Sequence, residues 1–196
     1  MEHSLVIAKL TAAFADVERD ELSMLHEAQF MDQYHADSVS AVEIQASKRL
    51  DIYMDWREVP AEHLDGCDSA LSFLSLKGWK FYLPAYLRRA LELIHKPSWE
   101  TWLPGGVLFQ LSLSTKYPDL AAESARRFQT LDEAQVQAVA DCLRFIEESV
   151  PPGTSLQQSA QSALQRFWAL PPEERPNPDV ERRHPGKSRS GARVKR

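Results

Sequence analysis

The stretch LKGWKFYLPAYLRRALELIH, residues 76–95, packs four aromatic side chains around Pro84 and continues in a helical pattern beyond it. Trp79, Tyr82 and Tyr86 fall on one helical face, with Leu83, Leu87, Ala90, Leu91 and Ile94 beside them, while Phe81 points away. A helix with so wide an apolar arc is covered on most sides, which makes it the central helix of a domain. Aromatic residues at helical spacing are core material first. An aromatic-lined pocket or a partner groove is the functional alternative. Proline in a helix interior removes the bond to the carbonyl four residues back, here Lys80, at about 3 kcal/mol. The faces nevertheless line up across Pro84, so the spacing predicts a helix over about 77–95, bent near Lys80–Pro84.

The same periodicity recurs toward the C-terminus. TLDEAQVQAVADCLRFIEESV opens with Thr130 and Glu133, the spacing of a capping box. Val136, Val139, Leu143, Ile146 and Val150 then share a face. The segment PPG at 151–153 ends that helix, and Thr154 with Gln157 signals the next one. Leu156, Ala160, Leu164, Phe167 and Trp168 give its apolar stripe. So short a connection predicts an antiparallel helical hairpin.

Near the N-terminus, Val6, Leu10, Phe14 and Val17 form a further stripe, with Ser4 able to cap it. Residues 20–36 are helical but weakly amphipathic, and Ser40 with Glu43 opens a helix to about Leu50. In DIYMDWREVP, Ile52, Met54 and Trp56 alternate with Tyr53 and Asp55, a short strand-like period. Pro60 suits the first position of a helical turn. Between 97 and 120, Pro97, Pro104, Gly105, Gly106 and Pro118 break the chain, predicting short helical turns rather than long elements.

A chain of 196 residues with 43% hydrophobic content fits one domain with a real core. Its charge is uneven. Residues 171–196 carry eight Lys/Arg and four Asp/Glu, a net of +4, which leaves -9 on residues 1–170. Four prolines precede Asp179 in that tail, and Val180 and Val194 are its only large apolar residues. It cannot bury enough surface to offset its ordering entropy, so disorder is expected from residue 171 to 196. The acidic body disfavours nucleic acid. The basic tail lacks aromatics for base stacking, so specific nucleic-acid binding is not expected there either. No run of about 18 apolar residues is present, so no membrane span is expected. MEHSLVIAKLTAAF has no basic n-region, and a cytoplasmic soluble protein is the resulting expectation.

Catalysis needs a constellation. GxSxG, the P-loop, GxGxxG, HExxH and CxxC are all missing. The nearest approach is EHLDGCD, where Glu62, His63, Asp65, Cys67 and Asp68 crowd together. Such groups can ligate a metal or pair thiol with base. Their spacing matches no ligand pattern, and the segment is expected to be a polar loop between two helical pieces, with Asp68 or Ser69 as the N-cap of the second. Cys67 and Cys142 form neither a metal spacing nor a disulfide framework. His3, His26, His35, His95 and His184 are scattered, as surface helix histidines would be. No catalytic, cofactor-binding or metal-binding residue is therefore assigned, and no cofactor is expected.

DWREVP, residues 55–60, followed by ALSFLSLKGWKFYLPAYLRRALE, residues 70–92, resembles the signature of an uncharacterised bacterial family. FQTLDEAQVQAVADCLRFI, residues 128–146, and a final helix ending near Trp168 resemble its later segments. The resemblance covers most of residues 1–170, and the long basic tail is an addition to it. It implies a small helical cytoplasmic domain and supplies no catalytic residues.

The sequence thus predicts an all-α, compact multi-helix single domain over 1–170 with a C-terminal helical hairpin and a disordered basic tail. The expected role is a non-enzymatic protein-interaction module, immunity-type or accessory, with a protein partner. The alternatives are an enzyme with a non-standard polar site, such as a hydrolase using Glu62, His63 and Asp65 or the tyrosines near Trp79, and a nucleic-acid accessory protein acting through its tail.

Overall fold

The central stretch is one continuous helix. In a computed structural model of the chain, which describes residues 2–21, 23–33 and 41–177, it runs from Leu76 to Leu93 with Pro84 inside it. It is the fifth helix among the described residues, α5. The others are α1 (His3–Ala13), α2 (Leu25–Gln33), α3 (Ala41–Lys48), α4 (Ala61–Gly66), α6 (Leu103–Gln110), α7 (Pro118–Phe128), α8 (Glu133–Ser149) and α9 (Ser155–Ala163). No strand occurs among the described residues, and the fold is all-α. None of their helices is long and apolar enough to cross a membrane.

Residue chemistry explains where α5 begins. The Ser75 hydroxyl caps it by accepting the Gly78 amide at 3.0 Å. Gly78 is required for another reason. A Cβ there would sit 2.3 Å from the Ser23 hydroxyl oxygen and 2.7 Å from the Ser23 Cβ. The Ser23 hydroxyl in turn accepts the Ser75 amide at 2.9 Å, which fixes the segment before α2 against the start of α5.

Covered by α1, α4, α6, α7 and α8, α5 has almost no free face. Every residue from Phe81 to Leu87 is buried, Pro84 included. Phe81 was expected to point away from the core, yet it is fully buried, edge-on to Tyr82 at 4.9 Å. With partners on so many sides, only Leu76, Lys77 and Glu92 of this helix are exposed. An aromatic column runs outward from it, from Trp79 to Phe128 of α7 at 6.0 Å and on to Trp168 at 4.6 Å and Phe167 at 4.9 Å. Residues 164–168 wind as a wider π turn after α9, and Phe167 and Trp168, adjacent in sequence, are both buried.

The hairpin of α8 and α9 forms as expected, with Val136, Val139, Leu143, Ile146 and Val150 all buried. Its capping box lies two residues later than Thr130–Glu133. Asp132 accepts the Gln135 amide at 2.9 Å, and Gln135 returns to the Asp132 amide at 3.2 Å. Thr130 instead bonds the Arg127 carbonyl at 2.7 Å, closing α7, so its hydroxyl is not available to α8. Thr154 caps α9 as expected. Buried Asp141 of α8 accepts Lys9 of α1 at 2.7 Å, Gln137 and Arg144. Burial pushes the Asp141 carboxyl up, but the bonds from Lys9 and Gln137 and the charge of Arg144 outweigh it and hold it below the usual range.

Other expectations shift. Residues 51–55 do alternate, but with the opposite sense. Ile52 is 73% exposed while Asp51 is buried. The Asp51 and Tyr53 carbonyls are taken by the Arg19 guanidinium rather than by a neighbouring strand. Trp56 is buried at the head of a 3-10 turn, Trp56–Glu58, and its indole N–H reaches the Phe14 carbonyl at 2.9 Å. Pro60 stands at the N-cap position of α4, one place before the first helical position expected for it. The EHLDGCD segment is largely helical rather than a loop, since it forms most of α4. The broken region holds two real helices. α6 has eight residues, and α7 opens with Pro118 and Asp119 and closes with Arg126 and Arg127, in accord with the helix dipole. Past the expected boundary at 170, residues 172–174 form a short 3-10 turn. Arg175 holds Glu133 with two bonds of 2.7 and 2.8 Å and lies over the Phe167 ring. The rest of the basic tail, Ser40 and His35 lie outside the described residues.

Trp79→Ala removes the root of the aromatic column and is expected to destabilise the domain by about 3–5 kcal/mol in urea titration. Gly78→Ala should also destabilise, by about 1–3 kcal/mol, because Ser23 leaves no room for a methyl group. A Gly78→Ala protein as stable as the parent would show that the close approach to Ser23 is not rigid.

Candidate interaction surface

Glu62, His63, Asp65 and Cys67, the residues of the alternative polar site, have different surroundings in the fold. His63 lies half-buried with its Nδ1 2.9 Å from the Tyr53 hydroxyl. Asp65 is pulled to the other side of α4 by Arg89, which donates to it at 2.9 and 2.6 Å. Glu62 is exposed, and Cys67 is buried. Burial, with the charges of Asp51 and Asp68, pushes the Cys67 thiol up to about 12, so it is not a nucleophile at neutral pH. The Tyr86 hydroxyl donates to the Cys67 carbonyl, and its own ionisation is pushed well above the usual range by burial. Among the described residues, no group of three or more His, Cys, Asp and Glu side chains could hold a metal ion.

Sequence spacing gave no hint of a second assembly. Buried Asp51 accepts both the backbone amide of His26 at 2.9 Å and its ring Nδ1 at 2.7 Å. The His26 ring meets His63 edge-on at 4.6 Å, and His63 meets Tyr53. A carboxylate holding a histidine is the base half of a nucleophilic triad. These bonds tie Asp51 to α2 and Tyr53 to α4.

The surface differs in kind on the opposite flank of α4, along α6 and α7. Trp102 is 74% exposed and Phe109 70%, seven residues apart on one stripe of α6. Tyr117 and Leu120 at the start of α7 are also exposed. Between Phe109 and these two runs a channel of about 550 Å³, with Leu113 in its wall. It continues past Phe109 and Gln110 into a hollow of about 240 Å³ bounded by Trp102, Gly106 and Asp68. On the far side of Trp102 lies a third recess of about 380 Å³, lined by Asp65, Asp68, Arg89 and Glu100. Shared walls join the three into one ribbon.

Arg127 of α7 builds the floor. Almost fully buried, it donates to the Leu71 carbonyl at 2.8 Å and the Ser72 carbonyl at 2.9 Å. These bonds hold the 3-10 turn Ala70–Ser72 against α7. Burial pulls the Arg127 pKa down, and Glu123 at 3.4 Å works against that. Gln110 joins the same knot through the Ser72 hydroxyl at 2.6 Å. Exposed apolar side chains grouped in this way make the face a candidate contact surface.

Fold and surface define an all-α domain with an exposed aromatic channel beside its central helix. The chain belongs to the family of unknown function DUF6714, which it matches over residues 2–171. That is the kind of family the central block resembled, one that assigns no role to any residue. No curated protein and no solved structure matches the chain.

The two acids flanking α4 should respond differently to removal. Asp51→Ala strands the His26 amide and ring and is expected to cost about 3 kcal/mol in urea titration. Asp68→Ala, which breaks no ion pair among the described residues, should stay within about 0.5 kcal/mol of the parent.

Proposed function

We propose that this domain is a non-enzymatic protein-interaction module, of the accessory or immunity type, acting in the cytoplasm. The ribbon of exposed aromatics across α6 and α7 is its contact surface. The reading rests above all on the exposure of Trp102, Phe109, Tyr117 and Leu120 along a channel and the hollow that adjoins it at Phe109. The titratable groups that line that channel are Lys116, Glu123 and Arg127. Lys116 stacks on Tyr117 at 5.0 Å, and Arg127 and Glu123 are engaged with each other. Tryptophan and tyrosine are the side chains that dominate binding energy at protein interfaces. On this reading nucleic acid and membrane are not partners of the folded body.

The test pairs the parent protein with a Trp102→Ala/Phe109→Ser double variant whose melting temperature is unchanged. Each is used to capture partners from native lysate, and the bound proteins are compared by mass spectrometry. A protein retained by the parent and lost, by about tenfold or more, on the double variant supports the module. Equal retention by both, or none by either, removes the channel from consideration.

A further inference from the structure

Helix α6 has eight residues and two of them are glycine, Gly105 and Gly106. The fold asks for neither. A Cβ at Gly105 would meet nothing within 4 Å, and one at Gly106 would meet only the Asp68 carbonyl oxygen at 3.5 Å, an ordinary contact. Neither has a positive φ; among the described glycines only Gly153 does. Helix-interior glycine weakens a helix relative to alanine. What the missing side chain at Gly106 does create is the hollow between Trp102 and Phe109.

The hollow also sits at one end of a charge gradient. Asp68 lines both it and the neighbouring recess, and holds no cation among the described residues. Asp65 is engaged by Arg89, and Glu100 is only 4.0 Å from Lys96 with both side chains about half exposed. At the other end of the ribbon, Lys116 has no carboxylate partner among the described residues and lies against Tyr117. A free carboxylate beside an exposed indole receives a cation, through charge and through the ring face together. A free ammonium beyond a stretch of apolar wall receives an anion.

We infer that the ribbon binds a linear segment of a partner protein with a fixed polarity. A lysine or arginine of the segment enters the Gly106 hollow, over Trp102 and against Asp68. Apolar side chains follow past Phe109 to Leu120, and an aspartate or glutamate meets Lys116. Trp102 and Phe109 are about 10 Å apart along the α6 axis. In an extended segment, the basic residue and the first apolar anchor are therefore about three to four positions apart. The inference rests on the interaction-module reading and adds the chemistry and direction of the partner.

The experiment pans a displayed library of random dodecapeptides on the full-length protein and measures the enriched peptides by fluorescence polarisation. Enriched sequences are expected to carry Lys or Arg, then apolar residues, then Asp or Glu. Binding should fall about tenfold or more on Gly106→Leu, which puts a side chain into the hollow, and on Asp68→Asn. Lys116→Glu should weaken the same peptides, with recovery when their acidic residue is changed to lysine. Gly105→Ala serves as the folded control and should bind as the parent does, with an equal or higher melting temperature. Peptides lost on Phe109→Ser but indifferent to Gly106→Leu and Asp68→Asn would overturn the polarity and leave the module standing. No enrichment, together with no partner captured from lysate, would overturn both. Self-association of the protein that Gly106→Leu abolishes would assign the ribbon to a second copy and overturn the inference.

Discussion

A helix with proline at its centre lacks one of its own hydrogen bonds, and it persists only where its neighbours hold it. α5 is that helix. Its cover of α1, α4, α6, α7 and α8 buries every residue from Phe81 to Leu87. The outer elements are arranged by what α5 presents to them. Trp79 receives Phe128 and so fixes α7. Tyr86 reaches the Cys67 carbonyl and so fixes the end of α4. Gly78 admits Ser23 and so fixes the approach to α2.

The surface channel is a by-product of the same arrangement. α6 packs on α5, α9 and the 70–72 turn, burying Leu103, Val107 and Leu108 and leaving Trp102 and Phe109 exposed. Arg127 then closes the gap between α7 and the 70–72 turn by holding two backbone carbonyls. A buried cation with so little counter-charge costs solvation and is retained where its geometry matters. Here it sets the depth of the floor over which Phe109 and Tyr117 stand.

The parts of this structure legible in the sequence are the helices whose apolar residues keep the helical period. α5, α8 and α9 announce themselves in this way, with Thr154 in its expected place. The capping box of α8 was displaced because TLDE and DEAQ both satisfy the pattern, and only the packing of Thr130 on α7 decides between them. The 51–55 segment misled because its alternation is real, yet the inward side is the polar one, held by Arg19 and His26. α7 carried readable signals in Pro118, Asp119 and the paired arginines, which the neighbouring breakers obscured. The channel was illegible for a different reason. Its walls come from residues 68–72, 102–110 and 113–127, and a pattern of apolar residues does not reveal which side of a helix its neighbours will leave bare.

The tryptophans divide by environment in a way that gives the molecule two optical signatures. Trp56, Trp79 and Trp168 are sealed in the core, whereas Trp99 and Trp102 stand in solvent, 81% and 74% exposed. The first three emit as rigid, shielded indoles, and the other two emit at longer wavelength and are open to collisional quenchers. Whatever covers Trp102 therefore shifts only the long-wavelength population and leaves the core emission as an internal reference. The protein carries a built-in reporter for the occupancy of its own surface.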